Sequence, residues 1–147
     1  MIRVQSEDFD VGAELARLDQ GPGVGAVASF VGLVRRHGDQ QDVTGIALEH
    51  YPGMTERALE ALEAEARKRF ELADCLIIHR VGELPLGARI VLVAAASPHR
   101  QAALEATQFL IDRLKTDAPF WKREITAAGS QWVAAKPSDD SAASRWR

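Results

Sequence analysis

The chain has 147 residues, of which 46% are hydrophobic and 27% charged, and its formal net charge is −3. The balance is globular, and the length favours a single domain over residues 1–147 with a real core. An acidic chain makes a poor general polyanion binder, so nucleic acid is not expected as a partner and any anion site must be local.

Neither a signal core nor a membrane span is visible: MIRVQSEDFD is not apolar, and no run approaches the ~20 apolar residues a span needs. A cytoplasmic chain without a membrane partner is therefore expected. The lone Cys75 cannot close an internal disulfide, which fits a reducing compartment. Its apolar setting, CLII, reads as a buried structural thiol.

In chain order, Ile2–Gln5 predicts a strand, and Val11, Leu15 and Leu18 predict a helix over Asp10–Asp19, ended by Gly21-Pro22-Gly23. Val24–Val34 is nearly continuous apolar and predicts a buried strand with a bend or bulge at Gly32. The polar run Arg35–Asp42 predicts a mobile loop. Thr44–Tyr51 predicts another strand, and Thr55 is placed to cap a helix from Glu56 to Phe70. Asp74–Gly82 and Ala88–Ser97 predict a hairpin joined by a turn at Glu83–Gly87. Ser97 as N-cap and Pro98 as first residue predict a helix to about Lys115, broken by Asp117-Ala-Pro119. Phe120–Thr126 and Gln131–Ala135 read as strands, and the polar tail 136–147 has room for a short helix. The class is α+β, a mostly antiparallel sheet with flanking helices.

Several cations stand out. His99 and Arg100 occupy a helix N-terminus, where the dipole disfavours cations, unless an anion binds the free N–H groups there. The local pattern leaves that anion site and a solvated Arg100 equally open. Arg35 follows the Gly-bent segment and can fork onto a phosphate or carboxylate, or serve as an ordinary strand-end arginine. In Lys115-Thr-Asp-Ala-Pro-Phe-Trp-Lys-Arg-Glu124, strand parity turns Phe120, Lys122 and Glu124 one way and Trp121, Arg123 and Ile125 the other. His99 and Lys115 lie ~25 Å apart along one helix and cannot share a small ligand within one chain. No phosphate-loop, dinucleotide, zinc-protease or CxxC motif is present, and the four histidines lack metal-ligand spacing.

Taken in order, Phe30-Val-Gly-Leu-Val-Arg35, Leu48-Glu-His-Tyr-Pro-Gly-Met-Thr55, Ile78-His-Arg-Val-Gly-Glu83, His99-Arg100 and the Lys115–Glu124 stretch resemble the large, catalytic subunit of molybdopterin synthase. The resemblance runs through most of the chain and implies an α+β, α/β-hammerhead-like fold. It implies a sulfurtransferase of molybdenum cofactor biosynthesis that converts cyclic pyranopterin monophosphate to the dithiolene molybdopterin. The sulfur arrives as a thiocarboxylate on the Gly-Gly terminus of a ubiquitin-like small subunit, and two large subunits pair at the centre of a heterotetramer. No cofactor or metal is implied.

Carried over by position, Arg35, His99 and Arg100 match the family's anion contacts, and Lys115 and Lys122 match its two essential lysines. Glu124 and Arg123 belong to the same motif, although parity turns Arg123 away. Leu33 and Val34 are expected near the ligand through their backbone. Lys136 stands where the family has a late basic residue and is left outside the core site. Leu33 fills a variable position of its motif, and the 36–42 loop is idiosyncratic. The expected mechanism has the cations hold the phosphate while Lys115 polarises the incoming acyl group, its charge favoured by the helix C-terminus. Lys122 is the candidate for proton transfer. The rival readings are a non-catalytic homologue that binds the same partner or a pterin phosphate, and a plain structural domain with solvated cations.

Overall fold

The computed structural model describes residues 1–36, 43–133 and 136–147. Its elements are β1 (Ile2–Gln5), α1 (Val11–Leu18), β2 (Ala26–Leu33), β3 (Val43–His50), α2 (Met54–Arg69) and β4 (Asp74–Arg80). They continue with β5 (Gly82–Pro85), β6 (Arg89–Ser97), α3 (Arg100–Asp117), β7 (Phe120–Thr126), β8 (Gly129–Val133) and α4 (Pro137–Ser144). Two four-stranded sheets result, one ordered β1-β4-β6-β2 and the other β5-β3-β7-β8. All pairings are antiparallel except β1 with β4.

The first sheet carries the core on both faces, because β4 and β6 are apolar at nearly every position. Cys75, Ile77, Val91, Val93 and Ala95 face α2 and α3, meeting Leu59, Leu62, Phe109 and Leu110. The alternate residues Leu76, Ile78, Leu92 and Ala94 face Phe9 and Leu18. Burial pushes the Cys75 thiol up to about 11, so it is an inert packing group. Val34, Ile46, Leu48 and Leu84 form a smaller cluster, with Ile90 packed against it.

Several sequence expectations move. β2 is an edge strand, not a buried one: Val27 and Val31 pack inward while Ser29, Phe30 and Leu33 stay exposed. The register shift expected at Gly32 is present between Gly32 and Leu33. A Cβ on Gly32 would lie 2.8 Å from Val91 Cγ1, so the close approach of β6 requires glycine.

The helix starts also shift. Gly53, at φ +85°, is the N-cap of α2. Thr55 lies inside the first turn, where its hydroxyl donates to the Tyr51 carbonyl and meets His50 Nδ1. Likewise the N-cap of α3 is His99. Ser97 instead ties the strand to the preceding loop: its hydroxyl donates to Glu71 O and accepts from His99 N–H.

β4 and β6 pair as expected, but Glu83–Gly87 is not the turn that joins them. Gly82–Pro85 crosses to the second sheet and pairs with β3, because Leu84 has a buried slot there beside Ile46 and Leu48. The second strand of the last hairpin is Gly129–Val133, and residues 134–135 and 37–42 lie outside the described ones. The tail is more than polar. Trp146 packs edge-on against Phe70 and Phe109 and joins the main core.

Among the described residues no helix is long and apolar enough to cross a membrane. Phe109 is fully buried at the meeting point of α3, Phe70 and Trp146. Phe109→Ala should lower stability by roughly 3–5 kcal/mol in urea unfolding, whereas Leu104→Ala, on the exposed face of α3, should change it by less than about 0.5 kcal/mol.

Candidate active site

Leu33 and Val34 at the bulged end of β2, together with residues of β3 and β7, line a cleft of about 340 Å³. Its walls come from far-apart segments: Arg35 after β2, Lys115 near the end of α3, Lys122 and Glu124 on β7, and Lys136 and Asp139 at the start of α4. The apolar side is made by Leu33, Val34, Ile46, Leu48 and Phe120. Strand parity on β7 is realised, since Phe120, Lys122 and Glu124 all face the cleft. Pro119 ends α3 cleanly, which lets the chain turn straight from Lys115 into β7.

Lys115 is reachable from the cleft, yet the surrounding wall strips part of its hydration. That loss is the largest cause lowering its pKa, and Lys122, Lys136 and Arg35 add repulsion. Asp139 opposes them. The sequence expectation rested on the helix C-terminus favouring the charged lysine. Partial burial and three neighbouring cations outweigh that, so the amine gives up its proton more readily than an ordinary lysine.

The remaining expected residues divide sharply. Leu33 and Val34 line the cleft, and within the chain the Val34 N–H donates to Ala88 O while its carbonyl accepts from Gly87 N–H. Arg123 is on the outer face of β7, over the Trp132 ring, where it donates to Ser130 Oγ. His99 and Arg100 are exposed at the N-terminus of α3, and His99 stands 3.7 Å from Glu71. They are roughly 24 Å along the helix from Lys115 and do not reach the cleft of their own chain.

Sequence reasoning missed His79. It is 5% exposed, lines the cleft, and stacks on Phe120 with ring centroids 3.8 Å apart. Its Nδ1 lies 2.8 Å from the Arg80 carbonyl, so Nδ1 carries the hydrogen and Nε2 is left as an acceptor. Burial first, then Lys115 and His50, push its pKa down to about 4 despite the Arg80 bond. A signal was present: on β4 His79 continues the apolar row of Cys75 and Ile77, and a polar residue ending such a row needs a reason to be there. Lys136, set outside the core site from sequence, also lines the cleft.

The structure is an α+β scaffold whose cleft gathers four cations and two carboxylates in an acidic chain. Residues 4–117 match the MoaE protein family, and the chain belongs to it. The molybdopterin synthase catalytic subunit of Ralstonia nicotianae is 53% identical over 146 residues, covering 99% of this chain and 83% of that one. The molybdopterin biosynthesis MoaE protein from Burkholderia ambifaria has the same fold, with a TM-score of 0.84 at 48% identity, covering 99% of this chain and 97% of its own. Molybdopterin synthase from Staphylococcus aureus gives a TM-score of 0.82 at 29% identity, covering 90% and 96% of the two chains.

The lowered pKa of His79 sets a direction for acid stability. Above pH 6.5 the ring is neutral folded or unfolded. As pH falls from 6.5 towards 4, the unfolded chain takes up a proton that the folded chain resists. Stability should drop across that window by on the order of 3 kcal/mol from this group. His79→Phe, which keeps the stack on Phe120, should flatten this part of the pH profile in denaturant unfolding at pH 7 and pH 4.5.

Proposed function

We propose that this chain is the catalytic subunit of a molybdopterin synthase. In that reading it moves sulfur from the thiocarboxylated terminus of a ubiquitin-like small subunit to cyclic pyranopterin monophosphate, forming a dithiolene. One observation carries the reading: Arg35, Lys115, Lys122 and Lys136 converge on one cleft in a chain of net charge −3. Such a cluster favours an anionic occupant, and a cyclic phosphate with an incoming thiocarboxylate supplies two negative groups.

Each residue then has a role. Arg35 and Lys136 at the mouth hold the phosphate, with the guanidinium able to fork onto two oxygens. Lys115 polarises the acyl group as the sulfur attacks the pterin side chain. Its eased deprotonation also makes a neutral amine available to capture the acyl carbon, a route the helix terminus alone would have closed. Lys122, on the same strand face as buried Glu124, transfers protons. A buried, inert Cys75 is no sulfur carrier, which fits delivery by a partner.

His99 and Arg100 enter this scheme through a second copy of the chain. They project from the far end of α3 and complete the neighbouring cleft in a homodimer, one small subunit docking at each end. We place the assembly in the cytoplasm, where a lone thiol stays reduced.

The test is reconstitution of the purified chain with a thiocarboxylated small subunit and cyclic pyranopterin monophosphate, read as the oxidised fluorescent derivative of the product. Product is expected, and Lys115→Ala should lower its rate by at least ~100-fold with an unchanged melting temperature. A stable complex that forms no product would instead favour a binding module. A second expectation concerns the dimer: Arg100→Ala and Lys122→Ala chains, each inactive alone, should regain part of the activity when mixed, because a mixed dimer restores one intact cleft.

A further inference from the structure

The C-terminal helix enters the site from an unexpected direction. Asp112 lies on α3 one turn before Lys115 and is 7% exposed. Its carboxylate accepts from the Trp146 indole N–H at 2.8 Å, from Arg145 at 2.9 Å and from Gln108 at 2.8 Å. The Trp146 ring closes on Phe70 and Phe109, so the tail is held by both an ion pair and a core contact. α4 therefore runs back along α3, with Ala143 buried, and carries Asp139 to the cleft wall. Lys115 and Asp139 also both line a smaller cavity between α3, α4 and Phe30.

We propose that α4 is a working wall of the cleft, clasped by Asp112 so that Asp139 stands as the counter-charge of Lys115. Asp139 is a positioning residue in this scheme, acting on the reaction through the lysine. The groups facing Lys115 are Arg35 from the end of β2, His79 from β4, Lys122 and Glu124 from β7, Lys136 and Asp139 from the C-terminal segment, and, across the smaller cavity, Asp112 of α3 itself. His79 is neutral above about pH 4, so it adds no charge to this set. Among the charged neighbours that act on Lys115, Asp139 has the largest effect, and it favours the protonated form. Without it the lysine would lose its proton earlier and hold an anion less well. With it fixed by a clasp one turn away, the charge on Lys115 depends on whether the C-terminal helix is docked.

The inference does not rest on the sulfur-transfer reading, and its test needs neither substrate nor partner. The titration of Lys115 is followed by the 13Cε shift in lysine-labelled chain, the resonance assigned by its loss in Lys115→Arg. Asp139→Asn should move the midpoint downward, and Asp139→Glu should leave it near its original place. The clasp is tested by repeating Asp139→Asn in an Asp112→Asn background, where the shift should vanish because α4 no longer holds residue 139 at the cleft. Should Asp112→Asn fail to fold, Trp146→Phe removes the indole donor while keeping most of the packing. No shift from Asp139→Asn in the intact chain would overturn the counter-charge. An equal shift in both backgrounds would overturn the clasp.

Discussion

The interaction that governs this molecule is the repulsion among Arg35, Lys115, Lys122 and Lys136 at one cleft. Like charges at such spacing would move apart on flexible side chains if the backbone let them. Lys115 and Lys122 are fixed on rigid elements. Lys115 rides on α3, which Phe109 and Leu110 lock into the core. Lys122 sits mid-ladder, paired with Leu48 and Val133. Arg35 follows a bulge at Gly32, where a Cβ would press on Val91. The core thus holds the two lysines in place against the repulsion, and an anion relieves it.

The same arrangement explains why the cleft lies between the sheets. Leu84 draws Gly82–Pro85 out of the β4–β6 connection and into the second sheet. That crossing joins the two layers on one side and leaves them open on the other, where β2 ends. The stacked pair of His79 and Phe120 then closes the floor. A neutral imidazole suits this position, since a charged one would add a further cation to a crowded site. Local electrostatics and sheet topology are therefore one problem: each cation is tolerable only where the topology puts it.

Much of this was legible in the chain. Apolar runs in β4 and β6, the periodicity of α2 and α3, and the glycine-bent end of β2 are short-range patterns, and all were realised. The alternation in Phe120–Thr126 correctly put Lys122 and Glu124 on one face and Arg123 on the other. The errors came where long-range partners override local preference. Ser97 and Thr55 are good caps in isolation, yet their hydroxyls are used on Glu71 and Tyr51 carbonyls. Glu83–Gly87 reads as a turn because it holds Pro and Gly; Leu86-Gly87 is one, but a buried slot across the sheet boundary makes Glu83–Pro85 part of a strand. β2 reads as buried because a sequence cannot show that its outer neighbour is missing.

The sequence by itself determined the α+β class, the ordered motifs of the family, and the two lysines of the cleft, because period and residue type are local quantities. Tertiary structure decided how those residues stand to one another. It brought Arg35 and Lys136 to Lys115 and turned a polar tail into a wall anchored on Asp112. It also reversed the expected tendency of Lys115, whose helix terminus favours charge while partial burial and three cations oppose it. Those effects depend on distance and dielectric, and neither exists until the chain is folded.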